Sequence, residues 1–166
     1  EIGESAFKGN RNVKDIILGE NIRTIAENAF YNCSVLESAT IPDGVTSIGD
    51  SAFQGCRELK KVNIPAGVAS VPAYCFAYCR SLTAVRIPDS VKTIGENAFT
   101  TAGELTEVVI GKGVVSIGKT AFYDLPKLQK VTFAEGNVLE TLGESCFAAI
   151  PSLQEITLPE TVTDIG

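Results

Sequence analysis

A strand-built solenoid of about seven stacked coils is the fold class the sequence predicts, and three observations predict it. A ten-residue phrase recurs along the chain, its phenylalanine returns at a fixed interval, and the apolar residues around each phenylalanine return with it. The phrase reads "TIAENAFYNC" at 24–33, "SIGDSAFQGC" at 47–56, "TIGENAFTTA" at 93–102 and "SIGKTAFYDL" at 116–125. Phe7, Phe30, Phe53, Phe76, Phe99 and Phe122 stand 23 residues apart, and Phe147 follows after 25. The two extra residues fall within "AEGNVLETLG" (134–143), which reads as a loop insertion in one coil.

Other stations keep the same interval. Five residues before the phenylalanine come Ile2, Ile25, Ile48, Val71, Ile94, Ile117 and Leu142. Six after it come Val13, Leu36, Leu59, Leu82, Leu105, Leu128 and Leu153. Nine after stand Ile16, Ala39, Val62, Val85, Val108, Val131 and Ile156. Stacked coils turn such stations into continuous buried ladders, which is how a solenoid builds a core that no single repeat can build.

The elements of one coil follow in order. "LKKVNIP" (59–65) alternates, with Val62 and Ile64 facing one way and Lys61 and Asn63 the other, the period of a strand. Pro42, Pro65, Pro88 and Pro159 end that strand, since proline cannot extend a ladder. Turn pairs such as Asp43-Gly44 and Lys112-Gly113 come next, and then "VTSIG" (45–49) gives a second short extended piece on the next wall. Gly3, Gly49, Gly95, Gly118 and Gly143 make a corner. "DSAFQGC" (50–56) then suits one short helical or 3₁₀ turn, with Ser51 near its N-cap. Glu4, Glu27, Asp50, Glu96 and Glu144 stand where acids favour the start of such a turn. A calcium ladder is the rival reading of that column, and Ala73 and Lys119 interrupt it.

"LxxVxIP" followed by "VxxIGxxAFxxC" resembles a leucine-rich repeat, and more narrowly the BspA-like (Treponema pallidum-type) repeats of about 23 residues. The resemblance covers essentially all of residues 1–166, as one strand-dominated leucine-rich-repeat solenoid domain of the α/β class. It implies a right-handed, curved stack, with a parallel sheet on the concave face and the helical or 3₁₀ turns on the convex side. It also implies a cell-surface or secreted protein of host-associated bacteria or parasitic protists, of a kind used in adhesion or coaggregation. Pro72 departs from the pattern by replacing the corner glycine, and Ala102, Leu125 and Ile150 replace its cysteine. The chain begins at Ile2-Gly3 and ends at Ile165-Gly166 in the same phase, and so reads as an uncapped piece of a longer array.

Composition narrows the function. A net charge of −6 argues against nucleic acid or an anionic membrane as partner. No apolar run approaches the roughly 20 residues of a membrane-spanning helix, and with neither a signal peptide nor a Met the stretch reads as a mature or excised fragment. Histidine is absent, so neither a Ser-His nor a Cys-His nucleophile can be built. No phosphate loop, nucleophile elbow or metal motif appears. Neither an enzyme nor a cofactor is expected.

Cys33, Cys56 and Cys79 share one station in successive coils. Parallel side chains in a ladder keep their Cβ atoms near 5 Å apart, too far for the roughly 3.8 Å of a disulfide. Ala102, Leu125 and Ile150 at the same station argue for apolar volume, so free buried thiols are expected. Cys75 and Cys146 replace a small alanine beside phenylalanine and read as packing residues.

Recognition is expected on the outward strand stations eight and ten after phenylalanine, which vary while the interior repeats. The candidate binding residues there are Thr40, Lys61, Asn63, Arg86, Glu107, Lys130 and Thr132. Lys61, Arg86 and Lys130 read as the one basic cluster of an acidic chain, with Arg86 as anchor. Tyr74 and Tyr78 suggest an aromatic patch on another face. The expected function is a protein-binding or glycan-binding adhesion module, with host matrix among the candidate partners. A structural spacer, associating end to end, is the alternative.

Overall fold

The computed structural model describes residues 1–166 and shows a parallel-strand solenoid with one short strand on each of two walls per coil. The concave wall carries β1 (Asp15–Ile17), β3 (Ser38–Thr40), β5 (Lys61–Val62), β7 (Ala84–Ile87), β9 (Glu107–Ile110) and β11 (Lys130–Phe133). The second wall carries β2 (Thr24–Ile25), β4 (Ser47–Ile48), β6 (Ser70–Val71), β8 (Thr93–Ile94), β10 (Ser116–Ile117), β12 (Thr141–Leu142) and β13 (Asp164–Ile165). Register follows the repeat: Ile16 pairs with Ala39 and Ala39 with Val62. Across the inserted loop, Ile117 pairs with Leu142, 25 positions on. Asn137 anchors that loop, its amide donating to Gly111 O at 2.8 Å and accepting from Leu139 N–H at 2.9 Å.

One apolar cluster of 39 buried residues runs through the stack, so the ladders read from sequence form a single core. Its pillar is the phenylalanine column. Successive rings stack with centroids 5.1–5.5 Å apart from Phe7 to Phe147, and Phe30 through Phe122 are sealed from solvent.

The expected helical or 3₁₀ turn on the convex side is corrected: the structure contains no helix. Two residues per coil adopt left-handed backbone, two before and two after the phenylalanine; in the third coil these are Ser51 (φ 56°) and Gly55 (φ 73°). Each left-handed residue turns its peptide out of the helical alignment. N–H groups then alternate in their targets. Those of Ser51, Phe53 and Gly55 donate to Ala73, Cys75 and Ala77 of the next coil at 2.8–2.9 Å. Those of Ala52, Gln54 and Cys56 close local turns to Gly49, Ser51 and Phe53. Ser51 is therefore a left-handed turn residue and not an N-cap. In the acidic station, Asp50 Oδ1 accepts the N–H of Ala73 in the next coil at 3.1 Å, while Glu27 and Glu96 accept from the side-chain amides of Asn28 and Asn97 at 3.1 Å.

Crowding accounts for the corner glycines Gly49, Gly95, Gly118 and Gly143, whereas Gly3, in the first coil, has nothing within 4 Å of a Cβ position. A Cβ on Gly49 would lie 2.4 Å from Glu27 N, and one on Gly95 2.6 Å from Ala73 N. Pro72 at this station has no N–H to give, whereas Gly95 N–H donates to Val71 O at 2.8 Å. The second wall accordingly divides into β2-β4 and β6-β8-β10-β12-β13. The concave wall divides at the same coil boundary, into β1-β3-β5 and β7-β9-β11.

Candidate binding surface

Strand alternation sets the candidate side chains on the concave wall. On β7 the pattern is strict: Val85 and Ile87 are buried and Ala84 and Arg86 exposed. Register then brings Arg86 beside Val109, Val109 beside Thr132, and Glu107 beside Lys130. Thr40 and Lys61 are exposed on the other side of the break, Lys61 paired in register with Ser38.

Three candidates, Asn63, Lys130 and Glu107, have local partners that sequence did not reveal. Asn63 turns its amide onto one backbone unit, donating to Ile41 O at 2.6 Å and accepting from Ile41 N–H at 3.0 Å. It thus replaces a ladder pair just past the end of β5. Lys130 lies 3.3 Å from the Glu107 carboxylate. The reading of Lys61, Arg86 and Lys130 as the one basic cluster is therefore corrected. Lys130 is neutralised by its neighbour, and Lys61 is separated from Arg86 by the break in the sheet. Lys61 and Arg86 form no ion pair.

A larger set of cations lies on the edge of the turn wall, where Lys8, Arg11, Arg57 and Arg80 line adjoining grooves. Its signal was present in the sequence: Arg11, Arg57 and Arg80 all stand four residues after the phenylalanine. Tyr78, read as part of an aromatic patch, belongs to this edge. At the far end of the concave wall, Thr132 joins Glu155 and Thr157 around a cleft of about 680 Å³.

Elsewhere lysines pair with carboxylates of adjacent coils. Lys60 Nζ is 2.7 Å from Glu37, and its hydrogen bond holds that carboxyl below its ordinary range. Lys119 is raised by the same kind of bond to Glu144. Both pairs are solvent-exposed and contribute little to stability.

All five cysteines are free and buried. The station of Cys33, Cys56 and Cys79 does more than fill volume. Their thiols donate to Phe7 O, Phe30 O and Phe53 O at 3.0–3.2 Å. Burial pushes the Cys56 and Cys75 thiols well above their ordinary value, Cys79 likewise, and Cys146 up to about 11. Such thiols are poor nucleophiles. No group of three or more Cys, Asp or Glu side chains converges as a metal site.

Parallel strands in repeat register, one phenylalanine pillar and a bonded turn wall define a leucine-rich-repeat solenoid. The BspA type leucine rich repeat region matches in 6 copies over residues 1–102 and 69–166. The chain belongs to that family. It is 31% identical to the leucine-rich repeat protein of T. pallidum, whose crystal structure it matches with a TM-score of 0.85 over 92% of this chain and 73% of that one. A leucine-rich cell surface protein from Faecalibacterium prausnitzii is 26% identical, with a TM-score of 0.70 over 86% of this chain and 36% of that one. The pneumococcal vaccine antigen PcpA shares the fold at 19% identity, with a TM-score of 0.61 over 95% of this chain and 37% of that one. No curated protein matches the chain by sequence.

Proposed function

We propose that this array is a non-enzymatic, surface-displayed recognition module that binds a macromolecular partner, protein or glycan, through its concave wall. Arg86 carries the reading: it is an exposed, unpaired guanidinium on one of the longest strands, flanked in register by uncharged Val109. An arginine so placed offers a rigid fork of donors beside apolar surface, the usual composition of an interface anchor. Lys61 and Thr40 extend the surface on one side of the break, and Glu107, Lys130 and Thr132 on the other. Asn63 is left out, because its amide is occupied by Ile41. The F. prausnitzii relative is described as a cell surface protein, which supports display at the surface. Several repeats side by side give the broad, rigid face that adhesion to a host or bacterial component requires.

The test is capture from host-matrix and bacterial-surface extracts by the wild type and by Lys61→Glu/Arg86→Glu. A partner retained by the wild type alone, with the variant melting normally, supports the concave site. Equal retention by both sinks it, and capture of nothing by either favours a spacer.

A further inference from the structure

Charges on neighbouring coils of this solenoid meet by register, and five lysines find carboxylates that way. No arginine takes part in an ion pair. Arg57 and Arg80 hold the same station in consecutive coils, whose phenylalanine rings are 5.5 Å apart. Like charges set side by side in this way repel. Arg11 occupies that station two coils earlier, and Lys8 sits beside it with its ammonium 5.0 Å over the Tyr31 ring. The sequence thus collects unpaired cations along one edge of a chain whose net charge is −6.

That edge is grooved. Two cavities of about 430 and 260 Å³ adjoin there and share Tyr31, Asn32 and Arg57. No acidic residue lines either one. Gly55 keeps the floor bare: a Cβ there would lie 2.1 Å from Asn32 Oδ1.

Tyr78 adds an aromatic face to the groove. Its backbone is left-handed (φ 60°), as it is at this station in every coil, where Gly9, Asn32, Gly55, Thr101, Asp124 and Ala149 also stand. A bulky aromatic is disfavoured in that conformation. Tyr78 remains 41% exposed, so core packing does not account for it.

The ligand class follows from what the groove offers. The N–H groups of Gly9, Asn32, Gly55 and Tyr78 all donate to carbonyls of the next coil. A peptide therefore cannot add here as a strand. Recognition falls to side chains: guanidinium forks for carboxylate or sulfate, tyrosine faces for an apolar ring face, and the amides of Asn32 and Gln54 for hydroxyls. We propose that this edge binds an anionic oligosaccharide bearing carboxylate or sulfate groups. The site runs from Arg11 to Arg80, about 16 Å along the stack. It is separate from the concave wall and does not depend on that assignment.

Calorimetric titration tests it with four probes: a heparin oligosaccharide, an oligogalacturonate, polyglutamate and a neutral maltooligosaccharide. The wild type is expected to bind at least one of the two anionic saccharides saturably, and the pair separates a sulfate from a carboxylate preference. Arg57→Gln/Arg80→Gln should weaken that binding roughly tenfold or more, one lost charge-assisted contact being worth about that much. Tyr78→Asn should weaken it too, Asn32 showing that asparagine suits the station. Lys61→Gln/Arg86→Gln on the concave wall should leave it unchanged, and all variants should melt near the wild type. Absence of saturable saccharide binding overturns the proposal, as does undiminished binding by either groove variant. Polyglutamate binding as tightly as the saccharides also overturns it, because the edge would then be a general polyanion surface.

Discussion

The boundary between the third and fourth coils looks different from its two sides. On the strand side both walls are broken there, between β5 and β7 and between β4 and β6. On the turn side nothing is broken: Ser51, Phe53 and Gly55 donate to the fourth coil at 2.8–2.9 Å, like their equivalents at every other boundary. The phenylalanine stack also continues across it, at the longest spacing in the column, 5.5 Å. Continuity in this solenoid therefore rests on the turn wall and its aromatic pillar. The strand walls can be interrupted without separating the coils, which leaves their outward positions free to vary.

The largest effect should come from breaking the pillar at that boundary. Phe76→Ala removes a sealed ring stacked between Phe53 and Phe99. It should cost about 3–5 kcal/mol in denaturant unfolding. Phe7→Ala, at a ring already 39% exposed, should cost much less. Equal losses at the two sites would mean that the pillar does not carry the fold. Gly95→Ala comes next, since its Cβ would meet Ala73 N at 2.6 Å, backbone against backbone. About 1–3 kcal/mol is expected for such overpacking. Gly3→Ala, with nothing within 4 Å, should be close to neutral.

The thiols give a smaller, pH-dependent handle on the same boundary, because Cys56, Cys75 and Cys79 flank it. Burial raises all three above their ordinary value near 9.0, so the folded state keeps them neutral. Their contribution is complete below the unfolded value and is lost as pH rises toward the folded values, because only the unfolded chain ionises in that window. Stability should fall by roughly 1 kcal/mol as pH rises from about 8 to about 9 for the three together. Cys75→Ala, which restores the alanine that five of the other coils carry, should flatten that slope. Thermal melts across this range that do not distinguish the variant would show that the thiols are not the titrating groups.

The ruler of phenylalanines made most of this fold legible, because a buried station has few alternatives: Leu36, Leu59, Leu82, Leu105 and Leu128 are sealed in place as their spacing requires. The turn wall was misread as helical for a local reason. Asn28, Asn97, Gly9 and Gly55 were signals of left-handed backbone, but Ser51 beside Asp50 looks the same as a helix cap. The candidate site was less legible still. Whether Lys130 is free depends on Glu107 in the neighbouring coil, and whether Asn63 faces solvent or Ile41 depends on a side-chain rotation that spacing does not encode. The arginine station was visible in the same ruler, but its meaning needed the grooves between coils.

The smallest effect is the one that separates the two walls most cleanly. Pro72 interrupts the second wall because it lacks an N–H at the station where Gly95 N–H reaches Val71 O at 2.8 Å. Pro72→Ala supplies that donor, and it adds no crowding because proline already places a Cβ at that position. The new bond to Ile48 O is worth about 1 kcal/mol, but releasing proline returns roughly 0.4–1 kcal/mol of entropy to the unfolded chain. Net stability should therefore barely move, while hydrogen exchange should reveal a new protected amide at residue 72. The turn-wall amides of Phe53 and Gly55 should exchange as before, since they are already bonded across the boundary. If they too become slower by a large factor, the break in the strands was loosening the whole boundary, and the turn wall alone does not hold it.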